Sequence, residues 1–238
     1  MGWFTPRCPV NAVEQQWIEE SFDWLVGQFG EQVTAGPVIL PTSDYFPGSY
    51  SGALEDIERI CTQVCQHMGV DAGSVRLEII DETVGTDFGG GYPRAQVPTT
   101  GTAGHYVYED GHHMITLEQA QTHDPMVLIA TLAHELGHAR LLGEGRISPS
   151  RRDGEPLTDL ATVALGLGVF TANASFDFVQ DNRGWRTGRL GYLTEQMFGY
   201  ALAWYARRRG ERQPEWAAYL DVNPAGYVKA GLRFLERQ

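Results

Sequence analysis

The chain has 238 residues, of which 42% are hydrophobic and 20% are charged. This is the composition of an ordinary globular protein that is long enough to bury a sizeable core. Its formal net charge of −12 argues against nucleic acid as a partner, because nucleic-acid binding depends on neutralising phosphates, and against docking on an anionic membrane. No apolar run approaches the roughly 18 residues of a membrane span, so we expect no membrane partner.

The amino terminus and the cysteines indicate the compartment. The first ten residues lack a basic start followed by an apolar run, so we expect no secretory signal. Cys8, Cys61 and Cys65 form neither a paired zinc–cysteine motif nor a disulfide framework. Buried thiols in a reducing environment are the default for such a set, and the sequence therefore predicts a cytoplasmic protein.

The first third of the chain alternates between helical and extended patterns. Asn11 can cap an amphipathic helix that runs to about Phe29. The predicted elements that follow are a short strand (38–40), a second helix (51–69) and a strand (75–80).

A hairpin is predicted after a glycine-rich segment. Residues 85–104 lack the lysine and the spacing of a phosphate-binding loop and are interpreted as a flap or surface loop. The segments 105–109 and 112–117 flank Asp110-Gly111, a dipeptide that favours a type I′ turn. A strand of this hairpin can offer a free edge to an extended peptide by strand addition.

The stretch Thr131–His138 contains the pattern His-Glu-x-x-His. On a helix, the spacing of four residues brings His134 and His138 to one face, close enough to share a tetrahedral zinc ion. Glu135 follows the first histidine directly and points beside the metal, where it can take a proton from a zinc-bound water.

The helix that carries this pattern is well specified. Asp124 supplies an N-cap and Pro125 occupies the first helical position, where a missing N–H costs nothing. Apolar residues follow on most sides, and Gly143 and Gly145 end the helix. A helix this apolar has no packing reason to carry two histidines and a glutamate near its end.

Two histidines leave a catalytic zinc site one protein ligand short. Glu144 lies six residues past the second histidine, as in metzincin sites, but Leu141 stands where those sites need a glycine. Glu155, in Gly154-Glu-Pro-Leu-Thr-Asp159, is the preferred candidate, with Asp159 as an alternative ligand. Four other histidines are interpreted as surface or hydrogen-bonded residues rather than ligands: His105, His112, His113 and His123.

The two acidic positions resemble the second motif of the gluzincins, the thermolysin-like superfamily, in which Glu-x-x-x-Asp follows the first motif on a second helix. The resemblance implies that His134, His138 and Glu155 bind zinc and that Glu135 is the general base. It also implies that Asp159 orients His134, and a carboxylate in that place fixes the tautomer of a ligating histidine.

The resemblance covers residues 131–159 and departs from the family pattern twice. Pro156 disfavours helical geometry at Glu155, which we expect at the helix cap rather than inside the helix. Arg140 stands where many metalloproteases carry an apolar residue. Both acids also fit a role without metal, in which they complement the positive end of a helix dipole.

The carboxy-terminal part is predicted to be helical. The predicted helices are 157–170, beside the first-motif helix, one from Thr194 to Arg209, and a last helix that starts at Asn223-Pro224. A hydrolase of this kind also needs a donor for the developing oxyanion. Tyr192 is the first choice, and the other candidates are Tyr200, Tyr106, His105 and Arg189.

Together these features predict a mostly helical α+β fold in one domain, 1–238, with a small sheet and hairpin in 1–123 and the metal motifs in the helical part 124–238. The predicted function is that of a zinc-dependent hydrolase, a peptidase acting on a peptide or protein. The alternatives are a zinc hydrolase of non-peptide amides and a non-catalytic zinc-containing binding module.

Overall fold

The structure, a computed structural model, describes residues 7–80, 104–180 and 193–238. The expected α+β fold is confirmed: these residues form eight α-helices and one three-stranded mixed sheet. The helices are α1 (Ala12–Phe29), α2 (Gln32–Ala35), α3 (Leu54–Met68), α4 (Pro125–His138), α5 (Gly154–Ala164), α6 (Gly168–Gln180), α7 (Glu195–Arg208) and α8 (Val222–Leu235). The strands are β1 (Val75–Ile80), β2 (Gly104–Glu109) and β3 (His112–Glu118).

Local sequence explains where the helices begin and end. The Asn11 side chain accepts hydrogen bonds from the backbone of Val13 and Glu14, and Glu14 reaches back to the Asn11 N–H, which completes a capping box at α1. Thr194 caps α7 as predicted, because its hydroxyl accepts from the Met197 N–H. The last helix begins at Val222, one residue before the predicted start.

The sheet has β3 at its centre, parallel to β1 and antiparallel to β2. The predicted hairpin is confirmed, and its turn residues Asp110 and Gly111 both have positive φ, as a type I′ turn requires. Ile115 and Leu117 of β3 are fully buried and pack with α3 and α4. The outer side of β2 has no partner strand among the described residues, so β2 is an edge of the sheet there.

Two sequence predictions about elements are wrong. Residues 38–40 do not form a strand; the Ile39 N–H instead donates to the carbonyl of Gly166. The predicted helix 157–170 is two helices, α5 and α6, because Gly166 has a φ of 87° and lies against the carbonyl oxygen of Pro37. A side chain at Gly166 would collide with that oxygen, so only glycine allows this close approach. The chain turns at this position, and its backbone binds the 38–40 segment.

The core consists of two clusters of buried side chains. One joins α1, α5, α7 and α8, and the other joins α3, α4, α6 and the sheet. No helix within the described ranges combines the length and the apolar character that a membrane crossing needs. The predicted glycine-rich loop, apart from Gly104 at the start of β2, lies outside the described residues.

Candidate metal centre

Helix α4 is buried along most of its length. Asp124 caps it by accepting from the Met126 N–H at 2.8 Å, and Pro125 takes the first helical position, both as predicted. Every residue from 128 to 138 is buried. The histidines and the glutamate of the His-Glu-x-x-His pattern therefore lie inside the protein, where polar groups need partners.

Helix α5 crosses α4 closely at Gly137. A Cβ atom at this position would lie 2.8 Å from Cγ2 of Thr158, so only glycine lets the two helices approach this far. The close crossing brings Glu155, Thr158 and Asp159, all within about one turn of α5, against the histidines of α4. Glu155 is the second residue of α5, so the expectation that it lies at the cap is wrong. Pro156 is tolerated because the first turn of a helix needs no N–H from it.

Three atoms of the two helices converge. Nε2 of His134 lies 3.2 Å from Nε2 of His138 and 3.2 Å from Oε2 of Glu155, and the distance from His138 Nε2 to the same oxygen is 3.3 Å. Ligand atoms around a tetrahedral zinc ion are about 3.3 Å apart, given metal–ligand distances near 2.0–2.1 Å. The triangle therefore has the size of one face of a zinc coordination tetrahedron.

The imidazole of His134 is held by a carboxylate. Its Nδ1 donates to Oδ1 of Asp159 at 2.8 Å, and the other carboxylate oxygen accepts from the backbone N–H of Leu193 at 2.8 Å. Because Nδ1 carries the proton in this bond, the Nε2 atom of neutral His134 bears a lone pair.

The imidazole of His138 is held by a hydroxyl. Oγ1 of Thr158 donates its single proton to the carbonyl of Gly154 and lies 3.3 Å from Nδ1 of His138. The hydroxyl can then only accept from Nδ1, which again leaves the lone pair on Nε2. All three converging atoms are thus acceptors, an arrangement that needs a cation or shared protons between them.

The charges in this cluster act on each other. Burial alone would lower the pKa of His134, but the hydrogen bonds to Asp159 and Glu155 outweigh it and raise the pKa well above its usual value. Burial would raise the pKa of Glu155, but the hydrogen bonds to the two histidines hold it far below the usual range. The cluster therefore favours a negative carboxylate beside positive charge.

Glu135 is 3% exposed and contributes none of the three converging atoms. Burial raises its pKa, while His134, His138 and His105 act in the opposite direction. Glu155, by contrast, has a side chain that is 44% exposed, so one side of the cluster is open to solvent.

The aromatic rings of Tyr106 and His113 border the cluster on the side of the sheet. The ring of Tyr106 is nearly parallel to that of His138, with centroids 5.9 Å apart, and its hydroxyl lies 2.9 Å from Nδ1 of His113. Burial raises the pKa of Tyr106 to about 12, so the hydroxyl stays protonated. Helix α4 continues into a π-helical turn, Ala139–Gly143, that packs on these two rings.

The remaining candidates lie elsewhere or outside the described residues. Glu144 pairs with Arg140 at 2.9 Å and with Arg146 at 2.6 Å and is not part of the cluster. Tyr200 is fully buried and its hydroxyl donates to Glu19. Within the described ranges, His134, His138 and Glu155 are the one group of side chains arranged to hold a metal. Tyr192 and Arg189 lie outside those ranges.

Sequence reasoning missed Thr158 and the backbone of Leu193, and it named Tyr106 only as a candidate oxyanion donor. Thr158 had a weak signal, because it lies three residues after Glu155 and therefore shares its helix face. Leu193 and the contact of Tyr106 with His138 had none, because these residues are distant in the chain and reach the cluster only through the packing of β2 and the entry to α7.

Comparison of the chain with known protein-family models, with curated proteins and with solved structures gives no match. The likeness to gluzincins therefore rests on the motif residues in 131–159 alone.

Proposed function

We propose that the protein is a zinc-dependent hydrolase, most specifically a peptidase. The observation that carries this proposal is the convergence of two imidazole nitrogens and one carboxylate oxygen within 3.2–3.3 Å of one another. Two imidazoles with one carboxylate are a donor set typical of catalytic zinc.

The proposed role of each residue follows from its position in the cluster. His134, His138 and Glu155 would hold the ion, which when bound lowers the pKa of a coordinated water and polarises a carbonyl oxygen. Glu135 would accept the proton of the attacking water at a carboxylate oxygen and return it to the leaving amine. Asp159 would hold the proton of His134 on Nδ1, and Thr158 would do the same for His138, which leaves both Nε2 atoms as the positions available to the ion.

Two features favour a hydrolase of peptides over the alternatives. A structural zinc has a closed shell of four protein ligands, whereas the cluster has three among the described residues and an exposed side at Glu155. Strand β2 packs against α4, and within the described ranges its outer side has no partner strand, so it can pair with an extended peptide, which favours a peptide over a small amide. A cytoplasmic location remains a prediction from the cysteines.

The metal is tested by elemental analysis of the purified full chain. We expect close to one zinc per molecule, and none in the double variant His134→Ala/His138→Ala. A low zinc content that is the same in the double variant would rule out this site.

The reaction is tested with Glu135→Gln against a library of peptides. Because the amide cannot accept a proton, this variant should keep its zinc and lose about 10²–10⁴-fold in hydrolysis. Glu144→Gln is the matched control, since Glu144 pairs with arginines outside the cluster, and it should keep both zinc and activity. Hydrolysis by Glu135→Gln at the wild-type rate would contradict the assigned role.

A further inference from the structure

His138 is less firmly held by hydrogen bonds than His134. The bond from His134 to Asp159 is charge-assisted and 2.8 Å long, whereas the contact from His138 to Thr158 is neutral and 3.3 Å long. Charge-assisted bonds are roughly twice as strong as neutral ones. The orientation of the His138 ring therefore needs another support.

Tyr106 lies where such a support is needed. Its ring plane is 22° from that of His138 with centroids 5.9 Å apart, so the tyrosine forms a flat wall beside the imidazole. This near-parallel arrangement lies within the range of centroid distances that aromatic pairs prefer, so the contact with Tyr106 stabilises the present orientation of the imidazole.

Tyr106 is itself held from two other elements. Its hydroxyl bonds Nδ1 of His113 on β3, and the two rings lie 5.8 Å apart at 27°. On the helix side, a Cβ atom at Gly143 would lie 2.6 Å from the tyrosine hydroxyl and 2.7 Å from Cε1 of His113. The absence of a side chain at Gly143 thus gives the hydroxyl its place.

The same contacts engage the hydroxyl that an oxyanion donor would need. Its hydroxyl is used by His113 and lies against Gly143, five residues beyond His138 along the chain. The part of Tyr106 that reaches the cluster is the ring, which has no donor.

We infer that Tyr106 is a positioning residue that keeps the imidazole of His138 aimed at a metal ion, an inference that rests on the proposed function. The hydroxyl anchors the ring through His113 and Gly143, and the ring restrains the ligand. Through this contact, strand β2 supports the metal site.

The test measures zinc affinity by competition with a chelator, using the folded full chain. Tyr106→Leu removes the wall and should weaken zinc binding about tenfold or more, the usual cost of losing a group that orients a ligand. Tyr106→Phe keeps the ring and loses only the hydroxyl anchor, so it should weaken zinc binding less than Tyr106→Leu does, a partial rescue that a general loss of stability would not produce. Tyr219→Leu makes the same chemical change at a tyrosine that is 42% exposed and far from the cluster in sequence, and should leave zinc affinity unchanged.

A second variant keeps the test decisive if Tyr106→Leu does not fold. Gly143→Ala should displace the tyrosine hydroxyl and weaken zinc binding, whereas Gly27→Ala, at a position with open space around it, should not. If Tyr106→Leu folds and binds zinc with wild-type affinity, the positioning role is overturned and the proposed metal site stays intact. If Tyr106→Leu does not fold, wild-type zinc affinity in Gly143→Ala has the same meaning. A wild-type protein that binds no zinc would overturn both.

Discussion

Asp159 accepts two N–H groups at once, one from the imidazole of His134 and one from the backbone of Leu193. A carboxylate can do this because both of its oxygens are acceptors. An asparagine has one acceptor and one donor, so in either orientation its NH₂ group faces one of these N–H donors. If it faces the imidazole, the proton moves to Nε2, and the lone pair that would bind a metal is lost.

We therefore expect Asp159→Asn to weaken zinc binding about 10–100-fold and still leave a protein that takes up zinc at high concentration. Glu155→Ala removes one of the three converging atoms and should empty the site under the same conditions. Chelator competition and elemental analysis distinguish the two. If Asp159→Asn lost its zinc and Glu155→Ala kept it, Asp159 would be the metal ligand and Glu155 the residue beside it.

The candidate site could be predicted from sequence where its spacing is local. His134 and His138 share one helix, and Glu155 and Asp159 share the next, so helical periodicity alone relates the members of each pair. The tyrosine wall could not be predicted, because nothing in the sequence near Tyr106 specifies which helix β2 packs against. Tertiary packing decides such contacts.

At the scale of elements, the distance between α4 and α5 determines whether the triangle exists. The histidines come from one helix and the glutamate from the other, and the helices touch where Gly137 meets Thr158. Thr158 is fully buried and its hydroxyl is bonded to Gly154, so its methyl group has little freedom to move aside.

Gly137→Ala should therefore force the two helices apart. We expect it to destabilise the fold by about 1–3 kcal/mol, the usual cost of overpacking a core, although alanine favours helix. Gly27→Ala on the exposed side of α1 meets nothing and should stabilise by about 0.5–1 kcal/mol. Urea unfolding of both variants checks this, and a Gly137→Ala protein as stable as Gly27→Ala would show that the crossing is not tight.

Element prediction failed where an apolar run continued through a glycine. The stretch 157–170 is nearly all apolar, which hides the turn at Gly166 beside the carbonyl of Pro37. The hairpin was predictable because Asp110-Gly111 specifies its turn locally. The parallel pairing of β1 with β3 was not, because it joins segments that are distant in the chain.

At the scale of the whole molecule, the cluster lies between the two parts of the core. Helix α4 packs in the cluster that contains α3 and the sheet, whereas α5 packs in the cluster that contains α1, α7 and α8. Arg140 strengthens the same junction, since it donates to the carbonyl of Gly69 after α3 and lies 5.0 Å from the ring of Phe29 at the end of α1. These contacts give Arg140 a structural role at this position.

A metal held by His134, His138 and Glu155 would join these two parts, so we expect zinc to stabilise the entire fold. A ligand at about 100 times its dissociation constant that binds only the native state adds roughly 2.7 kcal/mol. For a chain of this size that corresponds to a rise in Tm of about 5–10 °C. Thermal unfolding with and without zinc measures the rise, which should vanish in His134→Ala/His138→Ala and be absent with magnesium, a cation that prefers oxygen ligands. An equal rise in the double variant would mean that zinc binds elsewhere, and a wild-type protein that binds zinc without a rise would mean that the unfolded chain binds the ion as well as the native state does.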